Sequence, residues 1–345
     1  MYNAAMNQTR GEFLRGVAAV AGTATVSGCA GTFARTGEVT DGWIDLQVNG
    51  RVGIDFMSSA LTVDDVRRVV DALRAGGTTG FLATVCTTTD ANVEHALRVI
   101  AEARRRDGLC RATILGVHLE GPFLSPVRGF AGAHSPELLR DPDIKAFERW
   151  QDVSGGLVRL ITIAGERAGA EDFARRATEA GAVVSLGHTA LWETKDLDRM
   201  ARAGVKALTH LGNGLPNELP RHRNLMWTGL AHPELVKMFI ADGFHLPREL
   251  LKVFVRSASI EKLVVVSDCV YPGGLPPGTY RGEDGECVLE PSGLLHCPRS
   301  DSLYGSSCLM ADCVKVLNSP EVGLSWGDCV RLCRDNPLAL LSSVP

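Results

Sequence analysis

The sequence has no Cys-x-x-Cys pair, no long basic block, no internal repeat and no low-complexity linker. Each absence narrows what the chain can be. Ten cysteines without paired spacing, mostly in apolar or strand-like runs such as "LATVCTT" around Cys86, read as buried free thiols of a reducing compartment. A formal charge of −4 without a basic block argues against nucleic acid as the main partner. No apolar run is long enough for a membrane span. What remains is globular: 345 residues, 45% of them hydrophobic, can bury a sizeable core, and 37 glycines suit a fold with many tight turns. The length fits one large α/β barrel or two ordinary domains.

The N-terminus departs from this picture. "TRGEFLRGVAAVAGTATVSGCAG" carries Arg10 and Arg15, a weakly apolar run, then Val26-Ser27-Gly28-Cys29. It resembles a bacterial export signal with lipoprotein cleavage before Cys29, or a twin-arginine signal in which Gly11 replaces the second Arg. The alternative is an ordinary N-terminal extension, disordered or signal-like. Residues 1–40 are therefore set apart from a barrel domain over 41–345.

From Ile44 onward, strand-like and helix-like segments alternate. Eight strands are expected: Ile44–Asn49, Gly80–Cys86, Ala112–Leu119, Leu157–Ile163, Ala182–Leu186, Val205–Thr209, Leu235–Ile240 and Lys262–Ser267. Between most of them, stretches such as "TVDDVRRVVDALRAGG" and "AEDFARRATEAG" place apolar residues at three- and four-residue spacing and end on Gly. Eight β-then-α units read as an α/β fold, a (β/α)8 TIM barrel. "GGLPPGTYRGEDGECVLEPSGLLHC" reads as a hairpin excursion after the eighth strand, and the tail from Ser325 as helical.

In such a barrel, catalytic groups gather at the carboxyl ends of the strands. The strand ends supply Gln47 and Asn49, Glu120, His188, His210, His245 and Asp268. A single strand-end His is more often a hydrogen-bonded core or loop residue, and a single Asp a helix cap. Glu120, after "ILGVHL", would be buried and needs a partner. Two His and one Glu on neighbouring strands make a three-ligand site with a fourth position open for water, as in catalytic zinc sites. His95, His222, His232 and His296 read as surface or packing residues.

"IDLQVNG", "GVHLEGPFLSPVRGFAGAH", "SLGHTA", "LTHLGNG", "IADGFHL" and "VVSDCVYPGG" run in order from about Ile44 to Met310. Together they resemble the N-acetylglucosamine-6-phosphate deacetylase family of the amidohydrolase superfamily. The resemblance implies a barrel of the metal-dependent hydrolase type that releases acetate from N-acetylglucosamine 6-phosphate. Many metal-dependent hydrolases carry His-x-His on the first strand; Gln47 and Asn49 stand there instead and imply one divalent metal ion per chain, zinc first, with iron, cobalt or manganese as alternatives. Glu120, His188 and His210 match the family's metal ligands, and Asp268 its general acid/base. His134 (with Ala133 before it), His245, Asn213 and Gly214 match residues that meet the substrate. Arg221 matches a phosphate-binding Arg often donated across a homodimer interface. Leu303–Ser306, with Tyr304 and Gly305, matches the loop that closes on the sugar. The implied substrate is a cytoplasmic metabolite, which favours a cytoplasmic protein; an exported lipoprotein is the alternative.

Three departures stand out. The family's accessory β-sandwich is largely missing, Gly212 and Gly214 replace the usual aromatic and Ala beside Asn213, and Gly165 replaces the usual Pro before Glu166. Two rival functions follow: an amidohydrolase for a non-phosphorylated N-acetyl amino sugar or cyclic amide, and a non-catalytic exported sugar-binding lipoprotein.

Overall fold

The computed structural model describes residues 42–282, 285–298 and 302–345. The signal-like segment and Cys29 lie outside the described residues. Trp43–Val48 (β1) opens the domain, followed by a small ribbon of Gly50–Arg51 (β2) and Ile54–Asp55 (β3). The barrel then continues through Thr78–Cys86 (β4), Ile114–Glu120 (β5), Val158–Ile163 (β6), Val183–Leu186 (β7), Val205–Leu208 (β8), Val236–Ile240 (β9) and Leu263–Val266 (β10). All eight large-sheet strands are parallel, in the order β1-β4-β5-β6-β7-β8-β9-β10. The eight expected strands are thus present, within a few residues at each end.

The crossover helices follow local chemistry. Val63–Ala75 starts on Thr62, whose side chain accepts from Asp65 N while Asp65 reaches back to the cap, and it buries Val66, Val69, Val70 and Leu73 at helical spacing. Asp90–Arg106 is capped by Thr89 and ends in three arginines, which suit the negative end of a helix. Ala112 sits in a short helix, Gly108–Thr113, because the Asp107 carboxylate accepts from Leu109 N and Cys110 N and starts a turn where a strand is expected.

The barrel's first and last strands meet at a seam. Val48 bridges Cys269 in parallel, and Asn49 N donates to Cys269 O at 2.7 Å. Below that bridge the Asp45 carboxylate accepts from Ser267 N at 3.1 Å and Gln47 N at 3.2 Å. The C-terminal segments Arg331–Asp335, a π-helical turn, and Asn336–Leu341 cover β1 and β10 from outside.

The expected hairpin excursion is a three-stranded antiparallel sheet: Gly278–Gly282 (β11), Gly285–Leu289 (β12) and Leu295–His296 (β13). It packs around Tyr271, Cys287, Leu289, Leu295 and Tyr304. His296, expected among the surface or packing residues, lies in the last strand of this sheet. Among the described residues there is no β-sandwich, and no helix is long and apolar enough to cross a membrane. The nine described cysteines are all free thiols.

Candidate active site

A polar layer crosses the barrel interior just below its carboxyl end. His118 Nε2 meets Thr162 Oγ1 at 2.7 Å, Thr162 meets Thr209 at 2.7 Å, and Thr209 donates to Ser185 Oγ at 2.7 Å. All four are buried, so their hydrogen bonds replace the water they lose. Burial holds His118 neutral, its pKa lowered to about 4.

Two residues further along β5, Glu120 is 2% exposed and surrounded by imidazoles. Its Oε1 lies 2.7 Å from His210 Nε2, 3.3 Å from His188 Nε2 and 4.0 Å from His134 Nε2. Burial pushes the Glu120 pKa up, but the charge of His210 and hydrogen bonds from His188 and His210 outweigh it and hold the carboxylate well below its usual range. Burial pushes His210 down, and Glu120 overrides that to raise it. His134 has no comparable partner; burial and the neighbouring His188 lower it to about 3.

The rings are oriented from behind. His188 Nδ1 is 2.7 Å from Phe130 O; a carbonyl only accepts, so Nδ1 carries a hydrogen and the ring is held with Nε2 facing Glu120. His134 Nδ1 meets Thr87 Oγ1 at 2.9 Å. His210 Nδ1 is buried without a hydrogen-bond partner. Glu166 clamps the two residues after His188, accepting from Thr189 Oγ1 at 2.5 Å and Ala190 N at 2.9 Å. Gly214 closes over His188; a Cβ there would lie 2.8 Å from His188 Nδ1.

Backbone strain marks the same places. Four described non-glycine residues have positive φ, and three of them are His188 (48°), His210 (30°) and Asp268 (52°). Such conformations persist where surrounding structure over-determines them, and they cluster at functional sites.

The donor set fits a divalent metal. One carboxylate and two or three imidazoles converge, and the 3.3 Å between Glu120 and His188 suits neighbouring ligands of a tetrahedral ion bound at about 2.0–2.1 Å. Ligand atoms of Glu120, His134 and His188 lie within 4.8 Å of one another. His134, expected only to meet substrate, is thus also within reach of a metal. His210, expected as a ligand, makes the shorter contact to Glu120.

Asp268 faces this cluster. Its Oδ1 accepts from Gln47 Nε2 at 3.1 Å and from Asn49 Nδ2 at 2.7 Å. Burial, then repulsion from Glu120, raises Asp268 to about 6. A carboxyl titrating there can both take and return a proton near neutrality.

A cavity of about 450 Å³ opens above, within the range of small-molecule sites. Of the expected site residues, Glu120, Ala133, His134, His188, His210, Asn213, Gly214, His245, Asp268, Tyr304 and Gly305 line it, as does Asn49. His245 is held by Asp242, which accepts from its Nδ1 at 2.7 Å and its backbone N at 2.9 Å. Gln47 lies beneath the wall. Arg221 is exposed and does not line the cavity; Trp227 Nε1 donates to its backbone carbonyl. No Arg or Lys among the described residues lines the cavity. Cys86, Thr87 and Asp242 escape sequence reasoning: Cys86 looks like a packing thiol, Thr87 has no motif that distinguishes it from a loop residue, and Asp242, although inside "IADGFHL", draws no role from it beside His245.

No protein-family model matches the chain. Curated relatives do. The chain is 32% identical over 298 residues to an N-acetylglucosamine-6-phosphate deacetylase of Bacillus subtilis, covering 86% of this chain and 73% of that relative. It is 31% identical over 306 residues to an N-acetylgalactosamine-6-phosphate deacetylase of a Shewanella species, covering 88% and 74%. Among solved structures, a variant N-acetyl-D-glucosamine-6-phosphate deacetylase of Mycobacterium smegmatis, in complex with N-acetyl-D-glucosamine-6-phosphate, superposes with a TM-score of 0.79. It shares 27% identity, over 88% of this chain and 77% of that one. Sequence, barrel and the converging Glu/His cluster agree, and the chain belongs to the N-acetylglucosamine-6-phosphate deacetylase family.

Proposed function

We propose that the protein hydrolyses the acetamide of N-acetylglucosamine 6-phosphate to glucosamine 6-phosphate and acetate. The observation that carries this reading is Asp268 opposite the Glu120/His cluster in one cavity of sugar-phosphate size. Glu120, His188 and His210 would hold one divalent ion, zinc first, with His134 also within reach of it. A bound ion supplies Lewis-acid polarisation and brings the pKa of water towards about 7. Gln47 and Asn49 turn their amide N–H groups to carboxylates, which supports a single ion rather than two.

Asp268 takes a proton from water as the water oxygen bonds to the acetamide carbon. It returns that proton to the nitrogen as the C–N bond breaks. His134, beside His188, is placed to donate to the developing oxyanion. Asn213, Gly214 and His245 bind the sugar phosphate, and Tyr304 and Gly305 close over the ring. Because no Arg or Lys among the described residues lines the cavity, Arg221 would come from a partner subunit of a homodimer.

The same missing charge favours a second reading, a neutral N-acetyl amino sugar. Acetate release from N-acetylglucosamine 6-phosphate, N-acetylgalactosamine 6-phosphate and N-acetylglucosamine, with metal analysis of the same protein, separates them. Acetate from the phosphorylated glucosamine compound at the highest kcat/KM supports the first. A preference for the neutral sugar supports the second, and no acetate from any of the three refutes both.

A further inference from the structure

Gln47 Nε2 lies between two carboxylates, 2.8 Å from Glu120 Oε2 and 3.1 Å from Asp268 Oδ1. Both of its hydrogens are thereby used. Asn49 Nδ2 donates to the same Asp268 Oδ1 at 2.7 Å, and Asn49 Oδ1 accepts from the Cys86 thiol at 3.0 Å. Ionised carboxylates only accept, so neither amide can turn round without setting oxygen against oxygen. Gln47 keeps this orientation although its Oε1 is buried with no hydrogen-bond partner. An unpartnered buried carbonyl is costly, so the contacts made by Nε2 outweigh it.

We infer that Gln47 and Asn49 are positioning residues that assign different tasks to the two oxygens of Asp268, leaving Oδ2 as the oxygen that exchanges the proton. Two amide donors occupy the lone pairs of Oδ1. Glu120 is sorted in the same way: Oε2 is held by Gln47 and approached by the Cys86 thiol at 3.5 Å, while Oε1 faces the histidines. The water O–H bond breaks as an O–H bond forms at Asp268 Oδ2, and that bond breaks in turn when the proton passes to the leaving nitrogen. Oδ1 gains and loses nothing. Cys86 keeps the polarity of Asn49 fixed through both steps, since a turned amide would lose the thiol donor. This inference rests on the deacetylase reading and adds the proton's address.

Asn49 is the residue to test, because its amide touches Asp268 and not Glu120. Asn49→Leu is measured alone and combined with Asp268→Asn, following kcat and KM for acetate release, metal content and thermal midpoint. Losing one hydrogen bond to an ionised group should lower kcat 10- to 100-fold. KM and metal content should stay within about twofold. In the Asp268→Asn background the same substitution should cost under threefold, because Asn49 acts through Asp268. Cys86→Ser should retain kcat and Cys86→Val should lose several-fold. Native kcat in Asn49→Leu, equal losses in both backgrounds, or losses that track metal content or folded fraction would overturn the inference. If the native protein releases no acetate, the deacetylase reading falls and this inference with it. If native activity is present and the two losses are additive, only this inference falls.

Discussion

Asp45 sets a measurable penalty on the barrel seam. It is 1% exposed, and its Oδ1 accepts from the backbone of Ser267 and Gln47. Burial raises its pKa from 3.8 to about 7 despite those bonds. The sign follows from linkage: the folded chain holds a proton that the unfolded chain releases near pH 4. Stability from this group is therefore full below pH 4 and is lost as pH rises through about 7. A shift of roughly three pH units corresponds to about 4 kcal/mol, an upper figure because buried sites relax. Asn mimics the protonated acid, keeping an oxygen for both backbone donors without the charge. Asp45→Asn should stabilise by about 1.5 kcal/mol at pH 5 and by up to about 4 kcal/mol at pH 8.5. Urea midpoints of both proteins at the two pH values supply the comparison. The variant-minus-native difference is the relevant quantity, since Asp268 contributes a slope of the same sign in both. If that difference is the same at both pH values, Asp45 is not a buried group titrating near neutrality and the reasoning fails.

Three further outcomes are expected. His188→Ala or His210→Ala should abolish tight metal binding while His134→Ala retains it; elemental analysis showing metal lost with His134 and kept with His210 would exchange their roles. Asp268→Asn should keep its metal but lose kcat by a factor on the order of 10² or more, and near-native turnover would make Asp268 a structural residue. Arg221→Ala should lower kcat/KM for the phosphorylated sugar about 10- to 150-fold, from charge-assisted bonds of roughly 1.5–3 kcal/mol, and leave the unphosphorylated sugar nearly unchanged. Mixing Arg221→Ala with Asp268→Asn should restore some activity if Arg221 serves the neighbouring subunit's site, and none if it serves its own.

Much of the architecture is legible because barrel strands are short, apolar and separated by amphipathic helices. The Ile44–Asn49 and Lys262–Ser267 readings fall within a residue or so of the observed strands. The rim residues are legible for a related reason: a strand end fixes where a side chain sits, so Glu120, His188, His210 and Asp268 could be placed together before any coordinates. Contacts carried by loops are not legible in that way. His134 reaches Glu120 from an irregular segment, and its approach depends on Thr87 and on packing against His188. The role of Cys86 depends on which atom of Asn49 it faces, and a strand-like run reads the same whether its thiol packs or donates. Arg221 shows the converse: a motif offset suggests a phosphate contact, whereas the folded single chain leaves it in solvent.

The seam also bears on how the chain is made. Gln47 and Asp268 are separated by 221 positions, yet they share a hydrogen bond at the heart of the site. Contacts of such long range form slowly, because a large loop must close before they reward it. During synthesis the first strand emerges early and waits, its amides and Asp45 without their partners, until the last strand leaves the ribosome. Glu120 and the histidines can gather before then, but Asp268 cannot join them. On the proposed mechanism, turnover in a translation mixture would therefore report ring closure itself, and a nascent chain halted short of residue 268 would hold the Glu120/His cluster without the group that moves the proton.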